Sequence, residues 1–174
     1  MNRVDSPFFH EDTAEDNSRL VFAVIVLILL LGVLVTGVFG WIVRNNVLAN
    51  ANRTDLDMRA VAWASVAFAC GHDGRFPIDE AELLSMEPLP DSIDCAPFAG
   101  ENWPVTRQVA LRGEPAPSLV TSLERLDVVF SSDGRLAPLV GNGGLPTLND
   151  PPTKDTIREW LNTFSIQSET KVDP

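Results

Sequence analysis

LVFAVIVLILLLGVLVTGVFGWIV, residues 20–43, runs directly into RNNVLANANRTDLDMRAVAWASVAFAC, residues 44–70, and the reading of this junction decides the fold. Leu20–Val43 contains no charged residue. As a helix rising about 1.5 Å per residue it is roughly 36 Å long, enough to cross a hydrocarbon layer of about 30 Å with some tilt. A cleaved signal peptide has a basic start, a shorter apolar core and a small-residue exit. Here the apolar run is longer, and Trp41 and Arg44 close it as interfacial anchors do. The sequence therefore predicts a retained transmembrane helix over 20–43.

Beyond Val43 nothing stops a helix. Residues 44–70 hold neither Pro nor Gly. Val47, Leu48, Ala51, Met58, Val61, Ala62, Ser65 and Phe68 recur at spacings of three and four, the stripe of an amphipathic helix. The asparagines at 45–52 lower helix propensity and allow a bend there. The simplest reading is one helix, about 20–70, half in the bilayer and half lying on a folded domain. Within the bilayer half, Gly32, Thr36 and Gly40 are four apart and share a face on which a second helix can approach closely.

Residues 1–19 are acidic and aperiodic and read as a disordered cytoplasmic tail. Near the apolar run, Arg3 and Arg19 precede it and Arg44, Arg53 and Arg59 follow it, so basic residues alone do not orient it. Downstream, Cys70-Gly71 reads as a helix end with Gly71 left-handed, His72-Asp73-Gly74 as a turn, and Pro77 as a block to continuation. DEAELL, residues 79–84, reads as a short helix. WPVTRQVAL, 103–111, alternates roughly and reads as a strand. LDVVF, 126–130, reads as a second strand that returns through Ser131-Ser132-Asp133-Gly134 into RLAPLV as a hairpin. TKDTIREWLNTF places Ile157, Trp160, Leu161 and Phe164 on one helical face with Thr153 as N-cap, followed by a flexible tail, 165–174.

This order of elements resembles the type IV pilins and type II secretion pseudopilins, closest to bacterial pilin-like proteins with an H-x9-DG element. The residues that carry the resemblance are the helix of 20–70, the turn Gly74-Arg75-Phe76-Pro77, the later Cys95 in SIDCAPF and the ending VVFSSDGRLAPLV. The resemblance spans about residues 20–140. Leu123 stands where that element has His, and Arg135 follows the Asp-Gly turn. The leader is acidic, with no Gly before Leu20 and no Glu inside the apolar run. The resemblance implies an α+β, pilin-like fold: a long N-terminal transmembrane-plus-amphipathic helix packed on a small antiparallel β-sheet. It divides the chain into a tail (1–19), a membrane helix (20–43), an extracytoplasmic domain (44–164) and a C-terminal tail (165–174). It also implies a single-pass protein of the bacterial cytoplasmic membrane with its domain outside.

Three chemistries are open to Cys70: a thiolate paired with His72, a metal site with His72 and Cys95, or a disulfide with Cys95. A helix C-terminus raises a thiol's pKa, and no C-x-x-C pair is present. The disulfide Cys70–Cys95 is the reading taken forward, and it suits an oxidising compartment. Asn52-Arg53-Thr54 matches the glycosylation pattern, and in a bacterial setting the match is chance.

The chain carries a net charge of −11 and no basic run, which argues against a nucleic-acid partner. It has no phosphate-binding Gly loop, no G-x-S-x-G and no H-E-x-x-H. No catalytic, cofactor or metal residue is assigned. The function expected is a non-enzymatic structural or interaction subunit of a secretion or envelope assembly. Its partners are the bilayer and other proteins, or a second copy, met through the Gly32, Thr36, Gly40 face. The alternative is a single-pass sensor or adaptor with an external binding domain.

Overall fold

The structure, a computed structural model, describes residues 12–93, 104–148 and 153–170. Its elements are α1 (Asp12–Gly71), α2 (Glu80–Leu84), α3 (Arg107–Ala110), α4 (Leu119–Arg125), β1 (Asp127–Val129), β2 (Leu139–Gly141) and α5 (Thr153–Thr170). The class is α+β: one long N-terminal helix and a two-stranded antiparallel sheet, with Val128 opposite Val140. The chain divides into two units between Asn46 and Val47. The second unit is called the head below.

α1 starts at Asp12, inside the segment expected to be a disordered tail. No Pro or Gly stands between 12 and 20 to break it. At its other end the left-handed residues are Asp73 (φ 54°) and Gly74 (φ 86°), not Gly71 as expected. Asp tolerates this region better than most residues because it is short and polar. The N–H of Gly74 closes the end by donating to the Ala69 carbonyl at 2.9 Å.

The outer part of α1 differs from an amphipathic helix lying on a sheet. From Thr54 to Ala69 every residue is buried except Leu56, which is half-buried. Val47 and Leu48, assigned to the stripe, are exposed. A helix buried on every face lies inside a fold, and from Ala60 to Ala69 its residues are apolar apart from Ser65. Alanines at 60, 62, 64, 67 and 69 let the other elements approach it from several sides, between the larger Met58, Val61, Trp63, Val66 and Phe68. The covering elements each add a few apolar residues: Phe76, Leu83 of α2, Leu89, Ala110 and Leu111 of α3 and its end, Leu119 of α4, and Ile157, Trp160 and Leu161 of α5. Strands of three residues are too short to cover this length of helix, so short helices and loops do most of the covering.

Local chemistry explains the smaller elements. Asp79 caps α2 by accepting from the Glu82 N–H at 2.8 Å. The strand expected over 103–111 is instead the single turn α3. Residue 103 lies outside the described residues. Thr106 adopts extended backbone and caps the turn by accepting from the Val109 N–H, so only an isolated bridge, Ser92 to Thr106, remains of the strand. α4 was not anticipated. Its first N–H, on Leu119, donates to the Glu87 carboxylate at 3.0 Å. β1 falls within the predicted 126–130. β2 starts only at Leu139, because Pro138 has no N–H to give to a ladder. Thr153 is the first helical residue of α5, not its cap, and its hydroxyl donates to Asp55. α5 runs on to Thr170 through the stretch expected to be a tail, since 163–170 holds no Pro or Gly. The side chain of Phe164 lies outside the described residues.

The two turns that carried the pilin resemblance meet. Phe76 N–H donates to the Gly134 carbonyl at 2.8 Å. Gly134 has φ +66°, and a Cβ there would lie 2.6 Å from the Phe76 carbonyl oxygen and 2.7 Å from Arg75 Cγ. Gly134→Ala is expected to destabilise the head by about 1–3 kcal/mol, from strain plus displacement of this contact. Gly144→Ala is the control: φ is +77° there, but no atom lies within 4 Å, so it should cost only about 1 kcal/mol. The two urea midpoints check the difference.

Candidate functional site

Residues 20–43 present exposed apolar side chains on every side. α1 thus holds one stretch, within Ser18–Gly71, long and apolar enough to cross a membrane. Gly32 and Gly40 meet nothing within 4 Å, and the Thr36 hydroxyl donates to the Gly32 carbonyl at 2.7 Å. The Gly32, Thr36, Gly40 face is therefore smooth, with its one hydroxyl satisfied inside its own helix.

Cys70 is half-buried against the core and disulfide-bonded. Cys95 lies outside the described residues. His72 is a turn residue, as expected. Its ring stacks on Phe68 at 3.9 Å, and its Nδ1 lies 2.8 Å from the Phe68 carbonyl oxygen. Arg75 covers the same Phe68 ring at 5.2 Å. Among the described residues no three His, Cys, Asp or Glu side chains are grouped to hold a metal ion.

Arg75 also forms a two-pronged pair with Glu82, at 3.0 and 2.9 Å, and Glu82 accepts the Ile78 N–H at 3.0 Å. The Arg75 hydrogen bonds, then the Ile78 N–H, hold the Glu82 carboxyl below its usual range. A carboxyl depressed in the folded state contributes stability that is full above its unfolded pKa, about 4.3. That contribution is lost as pH falls through the lower folded value. Glu82→Gln should therefore lower the melting temperature at pH 7, and the gap to the parent should begin to narrow below about pH 4.3 and shrink further as the pH falls. A thermal-melt series from pH 7 to pH 2.5 measures it.

The largest feature that sequence reasoning missed is a charged interior. Asp55, Asp57 and Arg59 lie on α1 and are 4%, 1% and 3% exposed. Asp55 pairs with Arg59 at 3.0 Å and lies 3.7 Å from Arg112, and it also accepts the Thr153 hydroxyl of α5. Arg59 reaches the Ala110 carbonyl and sits 5.3 Å over the Trp160 ring. Burial pulls the Arg59 pKa down, and Asp55 opposes the shift. Asp57 takes Arg125 at 2.5 Å and the Ser122 hydroxyl at 3.0 Å, both from α4. The signal available in sequence was the i,i+4 pair Asp55–Arg59 inside an otherwise apolar run. These residues join α1 to α4, α5 and the α3 turn. They form a clamp and show no reactive geometry.

Clefts open on the head among the described residues. One, about 330 Å³, lies beside Arg53, Leu56, Leu111 and Arg112. Another, about 310 Å³, lies between β2 and α5. No protein-family model, characterised protein or solved structure matches the chain.

Proposed function

We propose that the chain is a membrane-anchored, pilin- or pseudopilin-like subunit of a bacterial secretion or envelope assembly, acting by structure and interaction and not by catalysis. Residues 20–43 hold it in the cytoplasmic membrane, with the head outside the cytoplasm. The observation that carries this reading is the double role of α1, exposed and apolar over 20–43 and buried all round over most of 54–69. A helix that is both anchor and core ties the head's fold to its place at the membrane. It leaves the Gly32, Thr36, Gly40 face available for another membrane helix, or a second copy, to pack against.

The disulfide at Cys70 supports an external head, since such bonds persist in oxidising compartments. Cys95 is its proposed partner, because the chain has two cysteines. The test is labelling with a membrane-impermeant PEG-maleimide on intact spheroplasts. No modification is expected without reductant, and both cysteines should react after an impermeant reductant is added outside. Labelling that appears without reductant, and only after the membrane is permeabilised, would reverse the topology.

A further inference from the structure

Two guanidinium side chains, Arg53 and Arg112, line the cleft of about 330 Å³ that α1 forms with the end of α3. That size falls within the range of small-ligand sites, about 300–1,000 Å³. Arg53 is exposed on α1 and makes no ion pair among the described residues. The carboxylate one turn further along α1, Asp57, is already taken by Arg125 at 2.5 Å. Arg112 comes from the turn that ends α3, where its backbone is left-handed with φ 55°. Side chains other than Asn and Asp rarely enter that region, so the turn holds Arg112 over the cleft against its own preference.

The charges around the cleft do not cancel. Asp55 and Glu114 also line it. Asp55 is buried and engaged by Arg59 at 3.0 Å and by the Thr153 hydroxyl, while Arg112 comes only to 3.7 Å. Asp55 and Arg59 therefore neutralise each other inside the head. Glu114 is exposed and pairs with neither Arg53 nor Arg112. Two guanidinium groups against one carboxylate leave the cleft positive in a chain of net charge −11. A guanidinium presents parallel N–H donors that match phosphate or carboxylate oxygens in pairs. A carboxylate offers two oxygens in one plane and one charge. A phosphate monoester offers three terminal oxygens and a charge of about −1.5 to −2 at pH 7, which suits two forks arriving from different elements. Asn52 adds an amide to the wall, so the group that carries the phosphate has a hydrogen-bonding neighbour.

We infer that the Arg53–Arg112 cleft binds a phosphate monoester carried on a small polar organic group, either free in solution or as a lipid headgroup. This inference uses the head alone and does not rest on the pilin-like reading. The test titrates glycerol 3-phosphate calorimetrically into the full chain held in phosphatidylcholine nanodiscs. Saturable binding at one site is expected, and glycerol should not bind. Arg53→Gln and Arg112→Gln should each weaken binding about tenfold or more. Glu114→Gln should tighten it about threefold, because it removes the carboxylate that opposes the anion. Arg112 touches the buried Asp55 pair, so the exposed Arg53 and Glu114 keep the test decisive even if Arg112→Gln folds poorly. Opposite shifts from these two are not what a loss of folding produces. Nanodiscs containing phosphatidic acid separate the sources from nanodiscs of equal charge containing phosphatidylglycerol, a diester. Competition with the soluble probe by phosphatidic acid alone assigns the site to a lipid headgroup, and its absence assigns it to a free phosphate. No saturable binding of glycerol 3-phosphate, binding that survives Arg53→Gln, or binding weakened by Glu114→Gln would overturn the inference.

Discussion

Replacing Asp55 by alanine is expected to destabilise the head by about 3–5 kcal/mol, a large fraction of the stability of a small domain. The reason is what it leaves behind. Arg59 is 3% exposed and would keep only the Ala110 carbonyl, at 3.4 Å, and the Trp160 ring. The Thr153 hydroxyl, 1% exposed at the start of α5, would lose its acceptor. An uncompensated buried guanidinium costs more than the intact pair gains, because water solvates it in the unfolded chain and nothing replaces that water in the folded one. The same reasoning predicts a rescue. Asp55→Leu combined with Arg59→Met removes both charges and should recover most of the loss. Urea titrations of the two single variants and the double variant, followed by tryptophan fluorescence, measure the coupling. A double variant as unstable as the sum of its parts would show that the pair is not the clamp described.

Trp63→Ala is expected to cost a further, independent 3–5 kcal/mol or so, the usual loss when a large buried aromatic is deleted. Trp63 lies at the centre of the buried part of α1, is 1% exposed, and donates its indole N–H to the Pro90 carbonyl at 3.1 Å. The bond ties α1 to the loop after α2. Trp63→Phe keeps most of the ring volume and removes the donor, so about 1–2 kcal/mol should be lost. Near-UV circular dichroism with urea separates the two variants. If Trp63→Ala cost no more than an exposed substitution, about 0.5 kcal/mol, α1 could not be the core of the head.

Much of this architecture was legible in the sequence because its signals are local. An uncharged run at 20–43 and the absence of Pro and Gly from 44 to 70 specify α1 without reference to any partner. Asp79 before an acidic first turn specifies α2, and the apolar positions 157, 160 and 161 specify the buried face of α5. Less local features escaped. Val105, Val109 and Leu111 look like an alternating strand. Thr106 turns the chain into α3 because its hydroxyl accepts the Val109 N–H at 3.3 Å, and alternation does not register that. Asp57 gives no signal in the sequence, because its partners Ser122 and Arg125 lie far along the chain and only the fold brings them to it. Thr153 reads as a cap until Asp55 is found beside it. The β2–α5 cleft has no sequence signature, because it depends on a strand edge and a helix face that only the tertiary fold places side by side.

The most direct measurement compares two fragments, residues 47–174 and residues 70–174, both of which keep Cys70 and Cys95. Heteronuclear NMR and thermal melts should give a dispersed spectrum and a cooperative transition for the longer fragment. The shorter one, without the helix that fills the core, should give a collapsed spectrum and no transition. A dispersed spectrum and cooperative melt from residues 70–174 alone would contradict the claim that a single helix serves as both membrane anchor and core of the head.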